Sequence, residues 1–255
     1  MDILLSELGL WALLASGAVT LFAGVIKGTV GFAMPMIMIS TMGSFLPPDV
    51  ALAGLILPTL LTNGMQALRQ GPTAAAAAVK QFRVYLVAAG VMLVVSAQLY
   101  VFLPVWVLFL SIGLPVTLFC LMQFLGVRFH LARQSARAEV AIGSFSGLIG
   151  GLSGVWGPPL VAYLTALNTE KKMQMRTQGA AFGLGAMLLL FAHWHSGVVR
   201  SETLWFSAGL CVPALLGMWL GGRIQDRIDQ ETFRRATLVV LTVAGLNLIR
   251  RALFV

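Results

Sequence analysis

Residues 22–41 and 145–164 carry one apolar pattern written twice. The first copy runs Phe22-Ala-Gly-Val-Ile-Lys-Gly-Thr-Val-Gly31, then Phe-Ala-Met-Pro35. The second runs Phe145-Ser-Gly-Leu-Ile-Gly-Gly-Leu-Ser-Gly154, then Val-Trp-Gly-Pro158. A shift of 123 residues lays Phe22, Gly24, Ile26, Gly28, Gly31 and Pro35 on Phe145, Gly147, Ile149, Gly151, Gly154 and Pro158. Such a chain folds as two related halves, each with an apolar helix interrupted at the same place. Gly/Pro-broken apolar segments at corresponding positions of two halves point to the binding site of a membrane transport protein.

The medium follows from composition. Hydrophobic residues make up 58% of the chain and charged residues 10%, and the mean hydropathy of +0.90 lies outside the range of ordinary soluble domains. Runs of about 20 apolar residues, enough to cross roughly 30 Å of hydrocarbon, fall near 50–68, 82–102, 105–125, 177–195, 203–221 and 235–249. Nothing alternates with the period of a membrane barrel, so the fold class is an all-α polytopic membrane protein. The formal charge of +8 is spread over short loops rather than gathered in a patch. It therefore reads as a topology signal and not as a nucleic-acid surface. Asp2 and Glu7 stand where a cleavable leader needs basic residues, so the first apolar segment is expected to stay. Cys120 and Cys211 lie within apolar spans as small hydrophobes, and the sequence assigns no disulfide, metal or cofactor.

Residues 10–43 as one helix would measure about 50 Å at 1.5 Å per residue, so the segment must break. Gly28, Gly31 and Pro35 in the first copy, and Gly151, Gly154, Pro158 and Pro159 in the second, describe one half-helix ending and another starting. Basic residues set the sidedness. The N-terminus and residues 43–50 have none and read as outside, which makes the first broken segment re-entrant. Residues 69–83, with Arg69, Lys80 and Arg83, read as inside, as does the polar stretch 127–139 with Arg128, Arg133 and Arg137. The second broken segment starts inside and is followed by Lys171, Lys172 and Arg176, also inside. Two inverted repeats result, each a re-entrant broken helix plus three transmembrane helices: residues 1–126, a cytoplasmic hinge at 127–139, and residues 140–255. Arg250 and Arg251, near a C-terminus expected outside, fit this less well, and eight or more full spans is the competing topology.

Unwound backbone at membrane depth is tolerated where protein or a water-filled cavity satisfies it, and two breaks entering from opposite faces are expected to meet near the midplane. Each second half-helix would aim free N–H groups there, around residues 29–35 and 152–159, which favours an anion. Lys27 is the lone basic residue before Arg69. A charge at such depth costs at least about 2.5 kcal/mol and is functional by default, although snorkelling to an interface is the alternative. Thr29, Ser153 and Trp156 would add hydroxyls or a ring, with packing or capping as their plainer role. Thr62, Asn63 and Gln66, with Gln178 and Asn247, read chiefly as polar glue between helices, and His193 and His195 as an interfacial belt around Trp194. The string Gly151-Leu-Ser-Gly154 raises an intramembrane serine protease pairing Ser153 with His193, but the repeat explains its glycines without a nucleophile. A purely structural subunit is the other alternative.

These motifs, with Leu164-Thr-Ala-Leu-Asn-Thr-Glu-Lys-Lys-Met-Gln-Met-Arg176 and Gly217-Met-Trp-Leu-Gly-Gly-Arg223, resemble the TauE/SafE sulfite-exporter family along nearly the whole chain. The resemblance implies a multi-pass permease of the bacterial inner membrane for small, often sulfur-containing anions such as sulfite, sulfonates or thiosulfate. It carries the family's motif positions onto Lys27, Gly28, Gly31, Gly154, Pro158 and Arg176. Where members often have further glycine before the proline, this chain has Ala33 and Met34, which narrow that side. The expected substrate-binding set is therefore Lys27, Gly28, Thr29, Gly31, Pro35, Gly151, Ser153, Gly154, Trp156, Pro158 and Arg176, with no catalytic residue. Expected partners are a small anion and the lipid bilayer, without nucleic acid, and a homodimer is compatible with the sequence. No Walker motif is present, so a proton gradient or plain facilitation is the expected drive, and an anion channel is the alternative within transport.

Overall fold

The computed structural model describes residues 2–98, 105–126, 131, 133–153, 157–195 and 201–254. Among the described residues there are eleven helices and no strand: α1 (Asp2–Val30), α2 (Met34–Met42), α3 (Pro48–Leu68), α4 (Pro72–Gln81), α5 (Arg83–Gln98), α6 (Val105–Phe124), α7 (Ala136–Ser153), α8 (Gly157–Ala166), α9 (Lys171–His195), α10 (Ser201–Arg227) and α11 (Gln230–Leu253). Large apolar side chains point outward: Leu14, Leu21 and Phe22 on α1, Val87, Val91 and Val94 on α5, and Val212, Leu216 and Trp219 on α10 are exposed. Ser16, Thr20, Thr62 and Asn63 are buried. That inversion suits lipid outside and polar pairing inside.

Helix ends follow local chemistry. α4 fills the stretch 69–83, read from sequence as a loop, because Pro72 starts it and five alanines in a row sustain it. α9 and α10 run past their apolar runs, from Lys171 and to Arg227, since charge marks the edge of hydrocarbon and not the end of a helix. By length and hydropathy Gly9–Val30, Thr203–Arg227 and Gln230–Leu253 each suffice to cross a membrane, and Pro72–Gln81 with Arg83–Ser96 would form a fourth span bent by 75°. These are the candidates among the described residues; the expected span at 82–102 extends beyond them.

The chain forms two compact units, each assembled from two separate stretches of the sequence: Met1–Gly71 with Gly179–Asp229, and Pro72–Gln178 with Gln230–Val255. In the first, α1 packs along α10, and α3 packs on α10 and α2. The α1–α10 seam is built from glycine. A Cβ on Gly24 would lie 2.7 Å from the Ala214 carbonyl oxygen, and one on Gly28 2.3 Å from that of Met218; from the other side, Gly217 and Gly221 would meet the Leu21 and Val25 carbonyls at 2.2 and 2.1 Å. Two small-xxx-small faces thus bring backbones together where no side chain fits. Trp11 and Phe45 rings stand 5.5 Å apart, so α1 and α2 form a hairpin whose two ends lie together.

In the second unit α5 packs along α7, and α6 along α11. A Cβ on Gly147 would lie 2.1 Å from the Ala89 carbonyl oxygen, and one on Gly245 2.3 Å from Thr117 Oγ1. Gly24 and Gly147, equivalent in the duplicated segments, therefore do the same work in their own units. Phe22 and Phe145, equivalent in the same way, both face outward.

α3 has an internal proline, Pro58, which cannot bond the carbonyl of Gly54. Ser207 of α10 repairs the gap. Its hydroxyl donates to Gly54 O at 3.1 Å and accepts from Leu57 N at 3.1 Å.

Candidate functional site

The first break is sharp. α1 ends at Val30, Gly31 takes φ 91° and Ala33 takes φ 75°, and α2 starts with Pro35 in its first turn. Gly31 N donates to Lys27 O at 2.7 Å. Ala33 stands where the resemblance expects glycine, and its left-handed backbone is the conformation that glycine adopts without strain. Ala33 has no side chain able to cap α2, and no side-chain cap bond is formed. The first N–H groups of α2 therefore keep the positive end of the helix dipole uncovered.

Facing the break is α3, on which Thr59, Thr62, Asn63 and Gln66 follow the i, i+3, i+4, i+7 spacing of one helix face. All four are buried, while Leu61, Met65 and Leu68 on the other faces are exposed. Gln66 Nε2 donates to Gly31 O at 3.0 Å, which satisfies a carbonyl freed by the unwinding. Thr62 Oγ1 donates to Pro58 O at 2.6 Å and lies 3.8 Å from the Met34 sulfur. Lys27, 1% exposed, donates through Nζ to Oδ1 of Asn63, which is fully buried.

The charge balance is the main chemical feature. Lys27 has three N–H donors and pairs with a neutral amide, and among the described residues no carboxylate pairs with it. Asn63 Nδ2, with two further N–H donors, is buried without a partner. An ammonium and an amide thus present unused donors beside an uncapped helix N-terminus, and a species rich in acceptor oxygens and negative charge is what such a set can hold.

The other expected residues fall out differently. Gly28 is helical and belongs to the α1–α10 seam, so Gly31 and Ala33 supply the break without it. Thr29 Oγ1 donates to Val25 O at 2.9 Å and lies 3.4 Å from Gly221 O, which commits it to the same seam. Pro35 is half-buried at the start of α2 and Pro158 is buried at the start of α8. Gly151 and Ser153 close α7, but the Ser153 side chain, like those of His193 and His195, is outside the described part, and Gly154 and Trp156 lie outside the described residues altogether. Arg176 belongs to the second unit, where its guanidinium donates to Ala74 O at 3.2 Å. Asn63 and Gln66, read from sequence mainly as helix glue, bind the break itself. Their spacing with Thr59 and Thr62 was the available signal.

Compared with known proteins, the chain matches the family model described as Sulfite exporter TauE/SafE over residues 16–248. No curated protein and no solved structure matches it.

Proposed function

The chain belongs to the sulfite exporter TauE/SafE family, and from that membership we propose that it is a secondary transporter of a small, sulfur-containing oxyanion, held at Lys27 and Asn63. Family members are membrane transporters rather than enzymes. The observation that carries the reading is the buried Lys27 ammonium whose described partner is a neutral amide. A permanently buried cation is costly, and an anion arriving as cargo supplies the missing charge. Sulfite, thiosulfate and sulfonates present several oxygens to Lys27 Nζ, Asn63 Nδ2 and the α2 N–H groups, which suits this donor set better than a monodentate halide.

Depth follows from helix geometry. Trp11, exposed and packed at a tilt against Phe45, reads as an interfacial anchor. Lys27 lies sixteen residues further on, about 24 Å along the axis. From the other end, Asn63 precedes Arg69 by six residues, about 9 Å, and Arg69 pairs with Asp226 at 2.5 Å among half-exposed and exposed side chains. The site is thus offset from the midplane toward the basic, cytoplasmic rim, and the α1–α2 hairpin enters from outside and returns there. The inverted repeat is supported by the shared seam role of Gly24 and Gly147 and by the matching pairs α1 with α10 and α7 with α5, since α1 and α7 are the duplicated helices. The natural setting of such a permease is the bacterial inner membrane.

The test is uptake of radiolabelled sulfite, thiosulfate and a short sulfonate by liposomes holding the purified chain. Saturable uptake of at least one, lost in Lys27→Met, is expected. Flux that rises without saturation would indicate a channel, and no flux of any of the three would overturn the reading.

A further inference from the structure

Among the described residues two charged side chains are buried: Lys27 in the first unit and Glu139, 2% exposed, in the second. The anion site uses the first. Glu139 sits in the first turn of α7 on the wall of a cleft of about 550 Å³, lined also by Ala77, Lys80, Gln81, Arg83, Val84, Gln134 and Ala136. Its carboxylate accepts from two neutral donors, Tyr85 N at 3.3 Å and Gln134 Nε2. Neither donor is a cation, so among the described residues the buried carboxylate has no ion-pair partner.

We propose that Glu139 is the proton-binding residue of the transport cycle, loaded from this cleft and unloaded when the cycle turns it to the opposite side. The inference rests on the transporter reading and adds the coupling ion and its site. The step is a simple protonation: a proton from water in the cleft adds to a Glu139 carboxylate oxygen to form the neutral acid, and leaves from the same oxygen later in the cycle. No bond other than O–H forms or breaks.

The surroundings serve both states. Gln134 donates to Gln81 O at 2.9 Å and accepts from Gln81 Nε2 at 3.2 Å, so rotation of its amide would offer Glu139 an oxygen in place of an N–H once the acid is formed. The charged and titratable groups around Glu139 are Lys80 at the end of α4, Arg83 and Tyr85 of α5, Tyr163 of α8 and, on its own helix, Arg137. α6, which also packs on α7, carries no charged residue. Tyr85 donates its hydroxyl to Ser146 at 2.8 Å, and the Tyr163 hydroxyl is buried without a partner. Lys80 and Arg83 line the same cleft, and the cleft gives the proton its entry. A buried carboxylate acting only as a trans cap for α5 would account for the Tyr85 bond but would not need an open cleft at its side chain.

Glu139→Gln separates the two roles, because an amide oxygen still accepts from Tyr85 N while the group no longer titrates. Liposomes carrying the full chain and an internal pH dye are given labelled thiosulfate or ethanesulfonate, anions that do not themselves buffer near neutrality, with and without an imposed proton gradient. The wild type is expected to take up anion faster under the gradient and to move protons with it. Glu139→Gln should exchange anion without proton movement and without response to the gradient, and Glu139→Asp should retain proton movement. Wild-type uptake indifferent to the gradient, or proton movement unchanged in Glu139→Gln, overturns the proposal. If Glu139→Gln does not fold, the wild-type gradient response and the Glu139→Asp proton flux decide it. Absence of any anion uptake by the wild type overturns the transporter reading itself, and this proposal with it.

Discussion

Gly28→Ala tests the seam between α1 and α10. The added methyl would stand 2.3 Å from Met218 O, 2.8 Å from Gly222 N and 2.9 Å from Gly221 Cα, whereas non-bonded carbons rest at about 3.5–4 Å. All three neighbours are backbone, so no side chain can swing away, and the helices must part by roughly 1 Å, a gap that forfeits a quarter to a half of each dispersion contact along the seam. Overpacking of this kind costs about 1–3 kcal/mol, and at about 2–4 °C per kcal/mol for a chain near this size the melting temperature should fall by about 2–12 °C. Two glycines on the same helices are controls: a Cβ on Gly17 or Gly209 meets nothing within 4 Å. There alanine gains up to about 1 kcal/mol of helix propensity, so Gly17→Ala and Gly209→Ala should leave the midpoint unchanged or raise it. The assay is tryptophan fluorescence against temperature in one detergent. A Gly28→Ala protein as stable as Gly17→Ala would refute the close approach of the two backbones.

Ser207→Ala should destabilise by about 1–3 kcal/mol, because it strips both Gly54 O and Leu57 N of their partner beside Pro58; thermal unfolding measures it. Gly31→Ala, at φ 91°, should cost about 1–3 kcal/mol in the same assay, while Ala33→Gly should be neutral or stabilising. Asn63→Asp should fold yet carry anion poorly. A carboxylate in hydrogen-bond contact with the Lys27 ammonium is worth about 4 kcal/mol or more at a protein-like dielectric, so it would outcompete the cargo and weaken uptake by more than about tenfold. Wild-type uptake in Asn63→Asp would show that the Lys27 charge is not what binds.

Membrane residence, helical class and the break between residues 31 and 35 were legible because each depends on local composition: long apolar runs, glycine for a positive φ, proline for a first turn. Gly28 was legible as special but was taken for part of the break, since a glycine's purpose depends on what approaches it. Gly24 and Gly28 form one small-xxx-small face and Gly217 and Gly221 another, but nothing local says that α1 chooses α10, nearly 200 residues away, as its partner. Asn63 and Gln66 stood out as polar residues on a span, and only the fold shows that one bonds Lys27 and the other the Gly31 carbonyl. Glu139 lay in a polar stretch read as a hinge, and its burial comes from α5 and α7 packing along each other, a pairing with no sequence signature. Lys27 needed no fold to be singled out, since a lone cation in an apolar run is costly wherever the chain goes.

The most direct measurement is equilibrium binding of radiolabelled sulfite and thiosulfate to the purified chain in detergent, comparing the wild type with Lys27→Met and Lys27→Arg. Saturable binding to the wild type that disappears in Lys27→Met and survives, weakened, in Lys27→Arg is the predicted result. Equal binding by the wild type and a folded Lys27→Met would contradict the claim that the buried ammonium awaits an anion.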